Sequence, residues 1–181
     1  METIKTERLI LRELKIDDLD NFYEYAKNPN VTSMLGWEPH SNKEISLEFL
    51  KSFVENNEVW AIVLNETEKV IGHLKIYPDE NRGRFSERNS AKLITYALSE
   101  DYWGKGYMTE ALKHIVKYAF DEMNVELLTA FHFPHNIRSK RVIEKCGFQY
   151  EITIEQGYKN YDGQIFDSIC HSILKSDYYK E

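Results

Sequence analysis

Two glycines separated by one residue stand directly in front of a segment with helical spacing. The segment reads WGKGYMTEAL and contains Gly104 and Gly106. The first backbone amides of a helix have no partner within the helix, and the helix dipole is positive at that end. Because glycine has no Cβ, a bulky anion can approach these amides closely. The pattern predicts an anion site, and a tight turn without a ligand is the alternative interpretation.

The spacing of these glycines does not fit the two common nucleotide-binding motifs. The segment lacks the GxxxxGK[ST] spacing of a P-loop, and no GxGxxG follows a predicted strand. The glycines therefore need a second feature before a ligand class is assigned to them.

That second feature is a run of cations in the predicted helix NIRSKRVIEKCGF. Arg138, Arg141 and Lys145 follow at i, i+3 and i+7 and share one helix face, with Lys140 beside them. Cations in the first turn of a helix cost about 0.3 to 1 kcal/mol, which a bound anion would offset. A solvated helix surface is the alternative. In a chain of net charge -7 we favour a phosphate-facing patch, so that one ligand touches both the glycines and the cations.

The elements that must position these residues are short β-branched runs and amphipathic helices. Strands are predicted at 8–14, 59–65, 69–77, 91–99 and 125–133, with a hairpin at 158–174 around Asp162-Gly163. Helices are predicted at 17–28, ending before Pro29, at 41–57 with Ser41 as N-cap and Glu44 in a capping box, and at 136–148 closed by Gly147. The helix after the glycines shows one apolar face: Leu112, Ile115, Val116, Ala119, Phe120 and Met123. These patterns predict an α+β domain.

Length and composition narrow the function classes. The 181 residues, 42% of them hydrophobic and 29% charged, suit a single domain over residues 1–181. No apolar run has the length of a membrane span, and the charged opening METIKTERLI does not fit a secretion signal, so we expect a cytoplasmic protein without a membrane partner. The net negative charge argues against a nucleic-acid partner. Cys146 and Cys170 are expected to be free thiols.

Four motifs, taken in chain order, resemble the GCN5-related N-acetyltransferase (GNAT) family. They are TERLILREL, WGKGYMTEAL, NIRSKRVIEKCGF and the YDG of the last hairpin. More narrowly, the chain is similar to the branch that contains the ribosomal-protein N-terminal (alanine/serine) acetyltransferases. The resemblance implies a mixed, mostly antiparallel central sheet with splayed strands flanked by helices. It also implies acetyl-coenzyme A (acetyl-CoA) as the cofactor.

The resemblance further implies which residues bind the cofactor. The pyrophosphate would lie on the backbone amides of the glycine segment, and the pantetheine arm would lie between the strands LITYALS and LLTAFHF. The implied cofactor-binding residues are Ala97, Leu98, Ser99, Trp103, Gly104, Lys105, Gly106, Tyr107, Met108, Thr109, Asn136, Arg138, Ser139, Arg141 and Lys145.

Catalytic roles follow from the same resemblance. The amide of Leu98 would polarise the acetyl carbonyl as an oxyanion site. Asn136 would contact the cofactor or a water, or cap its helix, and Ser139 would lie near the departing sulfur. The chain departs from the family pattern at Trp103 and Met108, and Ile143 stands where many members have a tyrosine acid. Ser139 is therefore the best substitute proton donor.

The expected reaction is direct attack of a neutral amine on the thioester. An α-amine of pKa about 7.8 is roughly one-seventh neutral at pH 7, whereas a lysine amine costs about 4.6 kcal/mol to deprotonate and needs a base. Glu155 is taken as the base candidate, with Glu151, Asp167 and His171 beside it, although each also fits a surface position. His132 and His135 lack acidic or cysteine neighbours, so no metal is expected.

The acceptor is expected to enter past the loop that carries Trp37, Glu38 and His40. The acceptor is either a protein N-terminal α-amine of the ribosomal type or a small-molecule amine, and the enzyme is a monomer or a homodimer. Two other function classes stay open at this point: an acyl-CoA sensor without catalysis, and an unrelated nucleotide-binding protein.

Overall fold

The computed structural model describes residues 1–56 and 58–180, and the strands among them form one sheet. The strands are β1 (Ile4–Lys5), β2 (Leu9–Glu13), β3 (Val59–Leu64), β4 (Val70–Pro78), β5 (Ala91–Leu98), β6 (Leu127–His132), β7 (Gln149–Lys159) and β8 (Ile165–Leu174). Their order in the sheet is β1-β2-β3-β4-β5-β6-β8-β7. The fold is α+β, as the sequence predicts.

Helices cover both faces of this sheet. They are α1 (Leu19–Ala26), α2 (Pro29–Thr32), α3 (Lys43–Asn56), α4 (Arg84–Glu87), α5 (Tyr107–Glu122), α6 (Ile137–Lys145) and α7 (Lys175–Tyr178). Two 3-10 turns, Ile16–Asp18 and Glu100–Tyr102, precede α1 and the glycine segment. Among the described residues, no helix has the length and apolar character needed to cross a bilayer.

The two central strands part from each other halfway along their length. β5 and β6 are the parallel pair among the described strands, and their pairing runs from Ala91 opposite Leu127 to Ile94 opposite Ala130. β5 continues to pair with β4 as far as Leu98, while β6 continues to pair with β8 as far as His132. The expected splay is confirmed, and it opens a gap between residues 95–98 and the end of β6.

Two apolar clusters hold the layers together. α5 buries its predicted face against one side of the sheet at Ala111, Leu112, Ile115, Val116, Ala119 and Phe120. α1 and α3 pack on the opposite side, where Phe22, Tyr25 and Leu50 are buried. Both cysteines are free and buried.

Capping side chains and glycines define the helix ends, and one predicted capping residue is corrected. α3 is capped by Asn42, whose side-chain oxygen accepts a 3.0 Å hydrogen bond from the Ile45 amide, so the predicted cap Ser41 is wrong by one residue. The predicted helix ran to Asn57, which lies outside the described residues. α6 ends before Gly147, whose φ of 90° terminates the helix, and Gly163 has a φ of 87° in the predicted β7–β8 hairpin.

Sequence patterns missed the shortest elements. β1 has two residues, and α2 and α4 have four each. An element this short shows neither a 2-residue nor a 3.6-residue period, so hydrophobic spacing does not reveal it.

Candidate functional site

A cavity of about 600 Å³ lies where β5 and β6 part. One portion, here called the loop half, is lined by Tyr102, Trp103, Gly104, Gly106, Tyr107, Met108, Thr109, Asn136, Arg138, Ser139, Arg141, Val142 and Lys145. The other portion, here called the aromatic half, is lined by Val31, Met34, Leu35, Trp37, Phe53, His73, Lys75, Tyr77, Thr95, Phe131, Phe133 and Tyr158. Between them lie Ile94, Tyr96, Ala97, Leu98 and His132. The fold thus brings the predicted glycines and cations to one cavity.

The glycine loop, residues 103–109, offers a set of unused backbone donors. Gly104 and Gly106 have φ values of 74° and 83°, in the left-handed region that disfavours side chains. Within residues 1–56 and 58–180, the amides of residues 104–109 donate no hydrogen bond, since the first helical bond of α5 runs from the Glu110 amide to the Gly106 carbonyl. The loop is therefore both a tight turn and a cradle of free amides at a helix N-terminus.

Two residues of the turn between β1 and β2, here called the Arg8 clamp, hold this loop. Arg8 donates to the Lys105 carbonyl at 3.0 Å, pairs through Nε with Glu110 at 2.7 Å and lies 4.4 Å from the centre of the Tyr107 ring. Thr6 donates to the same Glu110 carboxylate at 2.6 Å. Burial favours the neutral form of Glu110, but the hydrogen bonds from Thr6 and Arg8 outweigh it and hold the pKa of Glu110 below its usual value. The Lys105 side chain is exposed and does not line the cavity.

Three cations of α6 line the loop half together. They are Arg138, Arg141 and Lys145, as their spacing predicts, while Lys140 lies outside the lining and approaches Glu144 at 3.8 Å. The Arg138 guanidinium stacks 4.7 Å from the centre of the Trp103 ring and so joins α6 to the glycine loop. The cations of α6 and the free amides of the glycine loop therefore border the same part of the cavity, the loop half.

The register of β5 selects which of its amides face the gap. The Ser99 amide donates to the Ile71 carbonyl at 2.8 Å, so alternate residues, including Ala97, pair with β4. The intervening residues Tyr96 and Leu98 turn their backbone toward the gap. Of the three residues that the sequence places beside the pantetheine arm, Ala97, Leu98 and Ser99, only Leu98 has an amide that faces the gap. The Leu98 carbonyl accepts from the Trp103 indole at 2.8 Å.

Ser139, at the start of α6, and Tyr96, on β5, line the cavity and pair through their hydroxyls. The Asn136 side chain accepts from the Ser139 amide at 3.1 Å, which confirms the capping interpretation. The Ser139 hydroxyl lies 2.8 Å from the Tyr96 hydroxyl. Burial raises the pKa of Tyr96, so this phenol stays protonated. Sequence reasoning missed Tyr96, although strand alternation puts it on the same face as Leu98.

The acidic candidates of the last hairpin lie away from the cavity. Glu155 is exposed on β7 and does not line it. Glu151 pairs with Arg82 at 2.6 Å, and the Asp167 carboxylate accepts a hydrogen bond from the backbone amide of Gln156 at 2.9 Å. Among the described residues that line the cavity, none is an aspartate or a glutamate. The structure therefore does not bring Glu155 to a position from which it contacts an acceptor.

The predicted acceptor loop reaches the cavity through one side chain. Trp37 lines the aromatic half, whereas Glu38 is exposed and outside the lining. His40 is buried behind Trp37, with parallel rings 6.4 Å apart, and its Nδ1 lies 2.7 Å from the Ser46 hydroxyl. Only the tryptophan of this predicted trio is in contact with the cavity.

Two histidines line the cavity in neutral form. Burial and the nearby Lys75 charge lower the pKa of His73 to about 3, and His73 Nδ1 lies 2.9 Å from the Tyr25 hydroxyl. Burial also lowers the pKa of His132, whose Nδ1 donates to the Phe133 carbonyl at 2.8 Å. Within the described part of the chain, no three histidine, cysteine or acidic side chains converge as a metal site would require.

Comparison with known proteins gives a consistent result. The family model for the acetyltransferase (GNAT) domain matches residues 8–149. An uncharacterized N-acetyltransferase of Bacillus licheniformis, p20, is 27% identical over 183 residues, covering 98% of this chain and 99% of that protein. The ribosomal protein uS5-alanine N-acetyltransferase of Escherichia coli is 25% identical, covering 97% of this chain and 92% of that enzyme.

A solved structure shares the fold. The crystal structure of a GNAT-family acetyltransferase from Bacillus anthracis superposes with a TM-score of 0.86 at 23% identity, covering 97% of this chain and 99% of that one. The resemblance inferred from the four motifs is confirmed by the family match over residues 8–149. The chain belongs to the GNAT family and is an N-acetyltransferase.

Proposed function

We propose that this enzyme transfers an acetyl group from acetyl-CoA to a primary amine by direct attack. The observation that carries the proposal is the meeting of two anion-binding features in one cavity. The free amides of residues 104–109 and the cations Arg138, Arg141 and Lys145 face the same space, in a protein of net charge -7.

Coenzyme A fits this arrangement chemically. The glycine loop suits the pyrophosphate, since its amides are free and its glycines present no Cβ to an approaching oxygen. A Cβ at Gly104 would meet no protein atom within 4 Å, so the space in front of this backbone is open. Arg141 and Lys145 suit a further phosphate, and the gap between β5 and β6 suits an extended, uncharged arm. Acetyl-CoA supplies the acetyl group as a thioester.

The residues beside the gap support the chemistry. The Leu98 amide is placed to donate to a carbonyl oxygen in the gap, where it stabilises developing negative charge. The Tyr96 phenol can donate to the Ser139 hydroxyl, which leaves the Ser139 hydrogen free for a departing sulfur. Ser139 thus passes its proton to the departing sulfur and is reprotonated by the proton that the attacking nitrogen loses, and Tyr96 positions Ser139.

The cavity also favours a neutral nucleophile. It contains cations and no carboxylate among the described lining residues, so it stabilises the uncharged form of a bound amine over its ammonium form. Deprotonating an α-amine at pH 7 costs about 1 kcal/mol, which proximity to the thioester easily offsets. A dedicated base in the cavity is not required for such an acceptor.

Thiol release tests the activity directly. We expect the purified protein to release free coenzyme A from acetyl-CoA only when a primary amine is added, with the acetylated amine visible by mass spectrometry. A protein that binds acetyl-CoA tightly but releases no thiol with any amine would be a sensor rather than an enzyme.

Gly106→Val should abolish coenzyme A binding. A valine at a φ of 83° is strained, and its Cβ would lie 3.4 Å from the Arg8 guanidinium that holds the loop, so the arrangement of the loop amides changes. Isothermal titration calorimetry measures the affinity, which we expect to fall by at least about a hundredfold. Gly163→Val is the matched control, because its φ of 87° imposes a similar strain in a hairpin turn outside the cavity. Equal affinities in the two variants would contradict the proposed loop site.

Ser139→Ala should lower kcat about ten- to a hundredfold while changing coenzyme A affinity little, because the lost hydroxyl acts on the leaving sulfur. Tyr96→Phe should lower kcat less, since Ser139 keeps its hydroxyl. Steady-state kinetics and calorimetry on both variants separate the two effects. Unchanged kcat in Ser139→Ala would remove this residue from the mechanism.

The pH profile should report the acceptor rather than the enzyme. His73 has a pKa of about 3 and Tyr96 has a raised pKa, so neither cavity group changes charge near neutral pH. We expect kcat/KM to rise about tenfold per pH unit until the pKa of the acceptor amine, because only the neutral amine attacks. The plateau should begin at a higher pH for a lysine-type amine than for an α-amine. A plateau that begins at the same pH for both amines would reveal an enzymatic base.

A further inference from the structure

The aromatic half of the cavity has an unusual charge content. Six aromatic side chains surround it: Trp37, Phe53, Tyr77, Phe131, Phe133 and Tyr158. Lys75 is the one charged side chain among the described residues that line it, because His73 is neutral. This half therefore presents rings and one positive charge to whatever enters.

The charge of Lys75 is only loosely compensated. Its ammonium lies 4.0 Å from the Glu58 carboxylate, which is outside the lining, and 4.8 Å from the centre of the Tyr77 ring. The Lys75 side chain is 25% exposed, so its charge is partly shielded from water. A second anion could approach the ammonium from within the cavity.

The sheet register relates the backbone position of Lys75 to that of Leu98. Gly72 lies opposite Leu98, and Lys75 lies opposite Thr95, three residues further along β4. Three residues of a strand span roughly 10 Å. The two backbone positions are therefore separated by about the length of one aromatic ring with a short substituent at each end.

We propose that the acceptor is a small primary amine with a ring-sized aromatic body and a carboxylate that pairs with Lys75. The inference rests on the proposed function and specifies its acceptor. The amine lies near the Leu98 amide, the body lies among the aromatic rings and the carboxylate meets the Lys75 ammonium. A polycationic peptide N-terminus is disfavoured, because the aromatic half offers it a positive charge and no carboxylate.

A matched pair of acceptors tests this. Para-(aminoethyl)benzoate and para-(aminoethyl)benzamide share the amine and the ring and differ in one negative charge. Calorimetry with the coenzyme A-saturated enzyme measures binding without turnover, and thiol release with acetyl-CoA measures kcat/KM. We expect the benzoate to be preferred by about tenfold in both measurements, and a lysine-rich peptide to bind more weakly than either.

Substitutions of Lys75 locate the source of the preference. Lys75→Met should remove the preference for the benzoate, and Lys75→Glu should reverse it in favour of the amide. Lys92→Met is the control, because Lys92 lies on β5 outside the cavity and its ammonium donates to Asn89 at 2.9 Å. This variant should keep the wild-type preference. Circular dichroism verifies the fold of each variant, and Lys75→Met provides the test if the charge reversal prevents folding.

The outcomes separate this inference from the proposed function. Equal binding of benzoate and benzamide, tighter binding of the lysine-rich peptide, or a preference that survives Lys75→Met would overturn the inference even if thiol release is normal. Preferential binding of the benzoate without thiol release from any amine would support the inference and refute the proposed reaction.

Discussion

The site depends on one interruption of backbone hydrogen bonding, the parting of β5 and β6 beyond Ile94 and Ala130. Buried backbone groups are almost always paired, so a strand end that loses its neighbour needs another partner. The flanking strands β4 and β8 stay paired with β5 and β6 beyond the point where those two strands part. The same parting lets the N-termini of α5 and α6 approach one opening. The parting of two strands in the middle of the sheet thus creates the cavity.

Charge is distributed unevenly between the surface and the cavity. The chain is acidic overall, yet the described lining residues include four cations and no carboxylate. The carboxylates close to the cavity pair with protein side chains: Glu110 binds Arg8 and Thr6, and Glu58, outside the lining, lies beside Lys75. An anionic donor molecule and an uncharged nucleophile both suit such a cavity. In the proposed function, the two occupy different halves of the cavity.

Local patterns predicted the parts of the site that lie on consecutive residues. The free amides need only a strand, two glycines and a helix, and the cations of α6 follow from their spacing. Trp37 was found, but Glu38, His40 and Glu155 were placed in the site and do not line the cavity. Tyr96, Lys75 and Tyr77 were missed, because each is a single residue at an alternating position of a strand and not part of a run of consecutive site residues. Sequence periodicity tells which face such a residue occupies, but only the strand order shows what that face meets.

The Arg8 clamp couples distant parts of the chain. Thr6 and Arg8 lie in the turn between β1 and β2, whereas Lys105 and Glu110 lie at the glycine loop and the start of α5, about a hundred residues later. Ordering one side of such a contact necessarily lowers the entropy cost of ordering the other, and the linkage is reciprocal. The turn between β1 and β2 is therefore thermodynamically coupled to the glycine loop, and a sequence change in this turn alters the stability of the loop.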